Sequence, residues 1–179
     1  MNTRTQFIST TGALLLLLSL SPAANAAFTD NGDGTVTDTV TGLMWDQCSQ
    51  GQSGSACATG AATTMTWSAA LTAAVTAINA NYKGYADWRL PNKNELESLG
   101  DIAAATAPTI NLTAFPATPG ILYWSSTTYT HTPSAANAWL VNFDNFDVGV
   151  DVKTNSFAVR LVRSRQWFDS FAVQVRRSE

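Results

Sequence analysis

The chain has 179 residues, of which 45% are hydrophobic and 13% charged, and its formal net charge is −3. This length suits one domain with a hydrophobic core, and the weak acidic charge argues against a nucleic-acid partner. The charge is unevenly distributed. Residues 27–159 carry four basic and eleven acidic groups, whereas residues 160–179 carry five arginines and two acids. The C-terminal end is therefore expected to form a local anion-attracting patch.

The N-terminal segment has the organisation of a secretory signal peptide. Arg4 supplies a positive start, an apolar run follows at 12–20, and Ala-Asn-Ala at 24–26 fits the cleavage pattern. The apolar run is far shorter than the ~20 residues that span a bilayer, so no membrane span is expected. We expect a cleaved signal peptide at 1–26 and a chain that is secreted, periplasmic or on the cell surface.

Residues 28–38 predict a β-hairpin, because two short strand-like runs flank an Asn-Gly-Asp-Gly turn. Several oxygen-bearing side chains of this region could also ligate calcium, which takes several oxygens from a tight loop. They are Asp30, Asn31, Asp33 and Asp38. The spacing is not that of an EF-hand, and turn formation explains these residues equally well. Calcium is therefore an open alternative, and no other cofactor is expected.

The two cysteines, Cys48 and Cys57, lie in a loop rich in Gly, Ser and Gln. In an oxidising compartment such a pair predicts a disulfide, which would stabilise by about 2–3 kcal/mol in the chain-entropy model. A metal or redox pair is the alternative. It is disfavoured because the spacing does not match C-x-x-C and no other ligand cluster lies nearby.

Two amphipathic helices are predicted between residues 66 and 102. Thr66 is a suitable N-cap for the first, and its apolar residues recur at helical spacing as one buried face. These residues are Trp67, Leu71, Ala74, Val75 and Ile78. In the second, Asn92 and Glu95 form a capping box. Its apolar side is formed by Leu96, Leu99 and Ile102.

Aromatic and β-branched residues predict strands at 121–125, 138–143, 146–152 and 157–162. The last strand alternates, so one of its faces is expected to carry Phe157, Val159 and Leu161. The order of elements indicates an α+β domain over residues 27–164, with two helices and a mainly antiparallel sheet. The residues expected to be largely buried are Trp67, Leu71, Trp88, Leu90, Leu96, Trp124 and Trp139.

Residues 165–179 form a basic C-terminal tail. Phe171-Ala172-Val173 with Arg177-Ser178 echoes the predicted last strand at 157–159 with 163–164. We favour a chance match over an additional strand.

Several motifs occur together in a recognisable order: NGDGTVTDTVTGLMW, DWRLPNKNELESL, YWSST, AWLVNF and VRLVRS. Over residues 28–164 this pattern resembles the DUF1566 family, also called the Lcl C-terminal domain-like family after a collagen-like adhesin. The resemblance implies a C-type-lectin-like fold, in which two helices flank paired chain ends and a looped sheet makes the binding surface. The chain lacks collagen repeats and the sugar-binding motifs of calcium-dependent lectins, so calcium-dependent sugar binding is not implied.

The candidate ligand contacts are arginines at or beyond the end of the last strand, because guanidinium groups pair bidentately with sulfate or carboxylate. They are Arg163, Arg165, Arg176 and Arg177. Arg160, within the strand, and Arg89 are expected to be structural, and Arg89 is expected to pair with Asp87 or Asp101. Tyr123 or Tyr129 could instead stack on a sugar ring.

A second acidic cluster comprises Asp144, Asp147 and Asp151, and Asp147 and Asp151 share a strand face. We interpret it as a solvated strand edge that resists aggregation, with a cation or a basic partner as the alternative.

Catalysis has little support in the sequence. The only histidine, His131, lies in a loop, and no nucleophile elbow, phosphate loop or zinc cluster is present. We therefore expect no enzyme but a secreted or cell-surface binding module, for which the resemblance implies a glycan or glycosaminoglycan ligand. The alternative is a structural or protein–protein module of the cell envelope. The oligomeric state is not indicated.

Overall fold

The computed structural model describes residues 28–131 and 135–164, so the predicted signal peptide and tail lie outside it. The helices of this part are α1 (Trp67–Asn79) and α2 (Lys93–Glu97). Its strands are β1 (Phe28–Asp30), β2 (Thr35–Asp38), β3 (Leu43–Asp46), β4 (Gln52–Ser53), β5 (Thr59–Gly60), β6 (Met65–Thr66), β7 (Leu122–Thr128), β8 (Asn137–Asn142), β9 (Asp147–Val152), β10 (Ser156–Phe157) and β11 (Val162–Ser164). Neither described helix has the length and apolarity that crossing a membrane requires.

The strands form two main sheets and two short pairs. One sheet has the order β1-β2-β3-β11 and the other β7-β8-β9, while β4 pairs with β5 and β6 with β10. The pairings within these sheets are antiparallel. The predicted hairpin at 28–38 is confirmed, as is the wider prediction of two helices and mainly antiparallel strands.

The segment 156–164, here called the central segment, joins the two main sheets. Val162 pairs with Trp45 of β3 on one side and bridges Arg89 on the other. Ala158 makes a parallel bridge to Tyr123 of β7. The predicted strand at 157–162 is therefore interrupted, and both of its faces are covered, because residues 158–163 are all buried. Alternate side chains of this segment therefore face two different parts of the protein interior, and neither face of the segment is exposed to solvent.

Helix α1 begins where predicted, since the Thr66 side chain accepts a hydrogen bond from the Ala69 amide. Its buried face differs from the prediction. The buried residues are Ala70, Ala74 and Ala77, whereas Trp67, Leu71 and Ile78 are partly buried. Val75, predicted to be buried, is 53% exposed. Small side chains allow the helix backbone to approach its neighbours closely, so the larger residues are displaced to the margins of the contact.

Helix α2 has the predicted capping box between Asn92 and Glu95. The helix ends at Glu97 and Ile102 is 85% exposed, so the prediction that Ile102 belongs to the apolar side of this helix was wrong. The chain turns away near Gly100, where a Cβ atom would overlap the ring of Phe146. Leu96 and Leu99 are nevertheless buried as expected.

Two hydrophobic clusters lie on opposite faces of the β7-β8-β9 sheet. Tyr123 and Val141 belong to the cluster that includes Leu96 of α2, whereas Trp124 and Leu140 belong to the cluster that includes Ala74 of α1. Successive residues of a strand point to opposite faces, which explains this division.

Most of the predicted core is confirmed. Trp88, Leu90, Leu96 and Trp124 are buried. Trp67, Leu71 and Trp139 are only partly buried, because they lie at the margins of the helix–sheet contacts.

Candidate functional site

A polar cleft of about 700 Å³ lies between the β1–β2 turn and the disulfide loop. We call it the hairpin cleft. Its lining includes Asp30, Asp33, Gln47, Ser53, Ser55 and Tyr82. Acidic, amide, hydroxyl and aromatic residues thus line the same space, which is a combination suited to a polar ligand that also carries an apolar face.

The disulfide between Cys48 and Cys57 fixes one wall of the cleft. The prediction of this bond is confirmed, with Cα atoms 5.4 Å apart and both residues buried. Two residues lining the cleft, Ala56 and Lys83, have left-handed backbones with φ of 52° and 53°. Such conformations are costly for residues other than glycine and persist where the surrounding structure holds them. The walls are therefore formed in advance of any ligand.

An ion pair joins Lys83, which lines the cleft, to the buried Asp46. Lys83 Nζ lies 2.7 Å from Asp46 Oδ1, and Asp46 is 1% exposed. Lys83 also donates to the carbonyl oxygen of Gly34, which ties the short turn at Tyr82–Gly84 to the hairpin. Burial and the negative charge of Asp46 raise the pKa of Tyr82 well above its ordinary value, so its hydroxyl stays neutral.

The hairpin carboxylates are used by their own turns. Asp30 accepts a hydrogen bond from the Gly32 amide, Asp33 from Thr35, and Asp38 from Val40. Burial opposes the ionisation of Asp33, but hydrogen bonds from Thr35 and Tyr85 outweigh it and lower the pKa of Asp33.

These bonds are those of turn formation. Within residues 28–131 and 135–164, no three His, Cys, Asp or Glu side chains come together as a metal-binding group. The calcium alternative stays a prediction.

Arg160 and Tyr123 lie beneath this region and not on a binding surface. Arg160 is fully buried and donates to the carbonyl oxygens of Asp46 and Gln47 and to the hydroxyl of Thr118. Tyr123 is also fully buried, and its hydroxyl lies 2.7 Å from Ser49 Oγ. Tyr123 is thus not available to stack on a sugar, and Arg160 connects the loops around the cleft.

Arg163 belongs to the interior, although it was predicted as a ligand contact. It is 6% exposed, its Nε lies 2.5 Å from Asp87 Oδ1, and its guanidinium lies 4.0 Å from the centre of the Tyr85 ring. Antiparallel pairing with Met44 in β3 turns this side chain inward. The other predicted contacts, Arg165, Arg176 and Arg177, lie outside the described residues and stay predictions.

Arg89 forms a structural ion pair, but its partner was predicted wrongly. Two guanidinium nitrogens each lie 2.7 Å from an oxygen of Glu95. Glu95 occupies the third position of α2, where it also accepts the Asn92 amide hydrogen bond, so it faces the segment before the helix. Asp87 is instead paired with Arg163.

The sequence matches the profile of the Lcl C-terminal domain over residues 34–163, which is most of the chain. The chain belongs to the Lcl C-terminal domain family. A search of curated proteins found no match.

The remaining candidates of this Lcl C-terminal domain lie on the β7-β8-β9 sheet or in the segments that follow β7 and β8. His131 is exposed and stacks on Tyr129 with ring centroids 5.0 Å apart, and Tyr129 meets Trp139 edge-on at 5.4 Å. These three rings form an aromatic cluster at the surface, in which the His131 imidazole stacks on the Tyr129 ring. Asp144 and Asp147 are exposed, and Asp147 begins the outer strand of the sheet.

The hairpin cleft of the Lcl C-terminal domain was not predicted from the sequence. None of the predicted site residues is Gln47, Ser53, Ser55 or Tyr82. The sequence feature that could have indicated the cleft is the glycine-rich disulfide loop, because a loop closed by a disulfide and rich in turn residues is a common place for a binding surface. The facing turn at 82–84 has no comparable sequence signal.

Proposed function

We infer that this domain is an exported, non-catalytic binding module with a C-type-lectin-like fold, and that it recognises a glycan in the hairpin cleft. The observation that carries the proposal is the cleft itself, in which polar residues and Tyr82 line one space of about 700 Å³. An adhesin-like role at the cell surface is consistent with family membership, the disulfide and the N-terminal sequence.

The chemistry of the cleft favours a hydroxyl-rich ligand. Gln47, Ser53 and Ser55 offer donors and acceptors, while the Tyr82 ring offers an apolar surface for the C–H face of a sugar. The disulfide and the Lys83–Asp46 pair hold the walls in place. Less conformational freedom is then lost on binding, which favours affinity.

The charge of the described surface favours a neutral glycan over an anionic one. Acids outnumber cations in residues 28–131 and 135–164, and each cation there already has an anionic, aromatic or buried oxygen partner. The pairs are Lys83 with Asp46, Arg89 with Glu95, Lys93 with Glu97, Arg163 with Asp87, Lys153 with Trp67 and Arg160 with Thr118. Binding of an anionic glycan would therefore depend on Arg165, Arg176 and Arg177.

A glycan array tests the proposal with two matched variants. The first changes Ser53 and Ser55 to Ala in the cleft, and the second changes the exposed Ser98 and Thr106 to Ala elsewhere. We expect the cleft variant to lose binding about tenfold or more, and the control variant to bind as the wild type does. Equal binding by both variants, or no glycan bound by the wild type, would contradict the proposal.

Heparin chromatography addresses anionic glycans separately. We expect any retention to fall with rising salt and to be lost when Arg165, Arg176 and Arg177 are all changed to Ala. Arg163 stays unchanged in this variant, because its removal would leave Asp87 unpaired.

A protein–protein function is the second candidate, and the outer side of α1 favours it. The helix carries no charged residue, and a groove of about 470 Å³ runs beside Thr72, Ala73 and Thr76. In a pull-down from envelope extract, Ala73→Arg should abolish capture if this groove is the contact. Capture that survives Ala73→Arg would exclude the groove.

A further inference from the structure

The outer edge of β9, here called the β9 edge, has backbone groups available for another strand. Strand β8 pairs with β9 on one side, and no described strand pairs with the other. The edge is already occupied at its end, since the Val152 amide donates to the Asp151 carboxylate at 2.6 Å and the Val152 carbonyl oxygen accepts from the Asn155 amide. Neither Val152 group bonds to β8. Because backbone groups alternate in direction along a strand, those of Val148 and Val150 also face the outer edge, and they are the groups available to another strand. Val150 and Val152 are also 37% and 41% exposed.

The charge of the β9 edge restricts which strand can pair with it. Asp147 and Asp151 repel a second β9 edge, which protects the protein from pairing between like edges. The same carboxylates attract an extended segment that is basic, so the edge discriminates between partners by charge. The cations of the described residues are already engaged. The chain has three further arginines beyond these residues, at 165, 176 and 177.

The sequence at 170–178 has the composition that such an edge requires. It is SFAVQVRRS, which is identical at six of nine positions to SFAVRLVRS of the central segment. The central segment pairs with strands at both of its ends. In 170–178, Phe171, Val173 and Val175 alternate with other residues, and Arg176 and Arg177 lie near the end. A segment with strand-like alternation and a basic end is therefore complementary to the β9 edge.

The central segment itself cannot accept this sequence as a neighbour. On one side, the carbonyl oxygens of Val159 and Leu161 accept hydrogen bonds from Gln50 and Asp46. On the other side, Ala158 bonds to β7 and Val162 to Arg89. Both edges are therefore occupied, and a hairpin between the central segment and 170–178 is excluded.

The distance to be spanned also disfavours pairing of residues 170–178 with the β9 edge of the same molecule. A strand beyond β9 would lie four inter-strand spacings from the central segment, which is about 19 Å. The fully extended link from Ser164 to Ser170 spans about 20 Å. It would have no slack to pass around the helices that cover both faces of the sheet. A second molecule places no such limit on the link.

We propose that the β9 edge of one molecule pairs with residues 170–178 of a second copy of the chain, which makes the protein self-associate through strand addition. The contact is steered by Asp147 and Asp151 on the edge and by Arg176 and Arg177 on the added segment. One added strand buries less surface than a standard interface, so association is expected at about 10–100 µM. The proposal does not depend on what the hairpin cleft binds.

Charge reversal with rescue, measured by sedimentation equilibrium on the full chain, tests the proposal. Changing Arg176 and Arg177 to Glu should weaken association about tenfold or more, and so should changing Asp147 and Asp151 to Lys. Combining all four changes restores opposite charges and should return the dissociation constant to within about threefold of wild type. The matched control changes Glu97 and Asp101 to Lys, which alters net charge equally but leaves the β9 edge intact.

Each outcome decides the matter. A wild type that stays monomeric up to about 1 mM overturns the proposal, since that exceeds the expected range at least tenfold. Association that survives either reversal, or that the control weakens equally, also overturns it. The four combined changes are informative where the circular dichroism and melting temperature of the variants match those of wild type. If association is then not restored, the arginines act at another surface and the proposal is wrong. A synthetic peptide of residues 165–179 should in addition dissociate the wild-type oligomer and leave the Asp147→Lys, Asp151→Lys variant unaffected.

Discussion

The central segment and the two helices that flank the sheet are stabilised in different ways. The central segment is buried on both faces and pairs with distant parts of the chain on both sides. Helix α1 fully buries only a row of alanines, and α2 buries Leu96 and has its cap and an ion pair at its first turn. The difference shows that hydrophobicity alone does not rank residues by their contribution to stability. Position relative to the two clusters matters more.

The largest effect is expected at the centre. Leu161→Ala should lower the free energy of unfolding by about 2–5 kcal/mol, because it leaves a cavity in a segment with no solvent-facing side. Leu161 is fully buried, whereas Leu112 is 46% exposed and provides the matched control. Urea denaturation of both variants measures the contrast. Equal losses for the two would contradict the distinction between centre and margin.

A smaller effect is expected where α1 meets the sheet. Ala70→Leu should cost about 1–3 kcal/mol, because the close approach leaves no volume for the additional carbon atoms. Ala70 is fully buried, and the exposed Ala69 on the same helix provides the control as Ala69→Leu. Thermal melting compares the two, and an Ala70→Leu variant as stable as wild type would show that the helix can move away from its neighbours.

The ion pair before α2 should make a contribution that depends on pH. Burial opposes the ionisation of Glu95, but hydrogen bonds from Arg89 and the Asn92 amide, with the charge of Arg89, lower the pKa of Glu95 overall. A lowered folded-state pKa gives stability that is present above the ordinary value of 4.5 and lost as the pH falls through the lower folded value.

Glu95→Gln should therefore reduce stability at pH 7 by about 1 kcal/mol or less, and the difference from wild type should shrink at pH 3. Melting temperatures at both values measure it, with Glu97→Gln as a more exposed control. A difference that is constant with pH would mean that the carboxylate acts through packing and not through charge.

The smallest effect is expected on the outer side of α1. Val75→Thr should change stability by less than about 0.5 kcal/mol, because the side chain is mostly in solvent. Chemical denaturation is the measurement. A loss above about 1 kcal/mol would show that another part of the protein covers this residue.

The sequence was sufficient to predict local structure wherever the physical cause is local. The hairpin at 28–38, the Thr66 cap, the Asn92–Glu95 capping box and the disulfide all depend on residues close together in the chain. Helical spacing predicted α1 correctly but favoured Val75, because periodicity identifies a face without showing how closely that face packs.

Tertiary pairing could not be predicted in the same way. Arg89 was given the right role but the wrong partner, and Arg163 was given the wrong environment, since their partners are determined by how α2 and β3 approach them. The hairpin cleft was also missed, because it forms where the β1–β2 turn, the disulfide loop and the turn at 82–84 meet. These segments are distant in sequence and meet only in the folded domain.

The position of the central segment in the chain has a consequence for folding during synthesis. The backbone pairing partners of Trp45, Arg89 and Tyr123 all lie at 158–162. A nascent chain that stops before residue 157 lacks the strand that both hydrophobic clusters share, so neither can close. Contacts between residues so far apart in the chain also form slowly. A ribosome-arrested chain should therefore stay sensitive to protease until the last strand emerges, which leaves an incomplete molecule open enough to be threaded through a narrow channel.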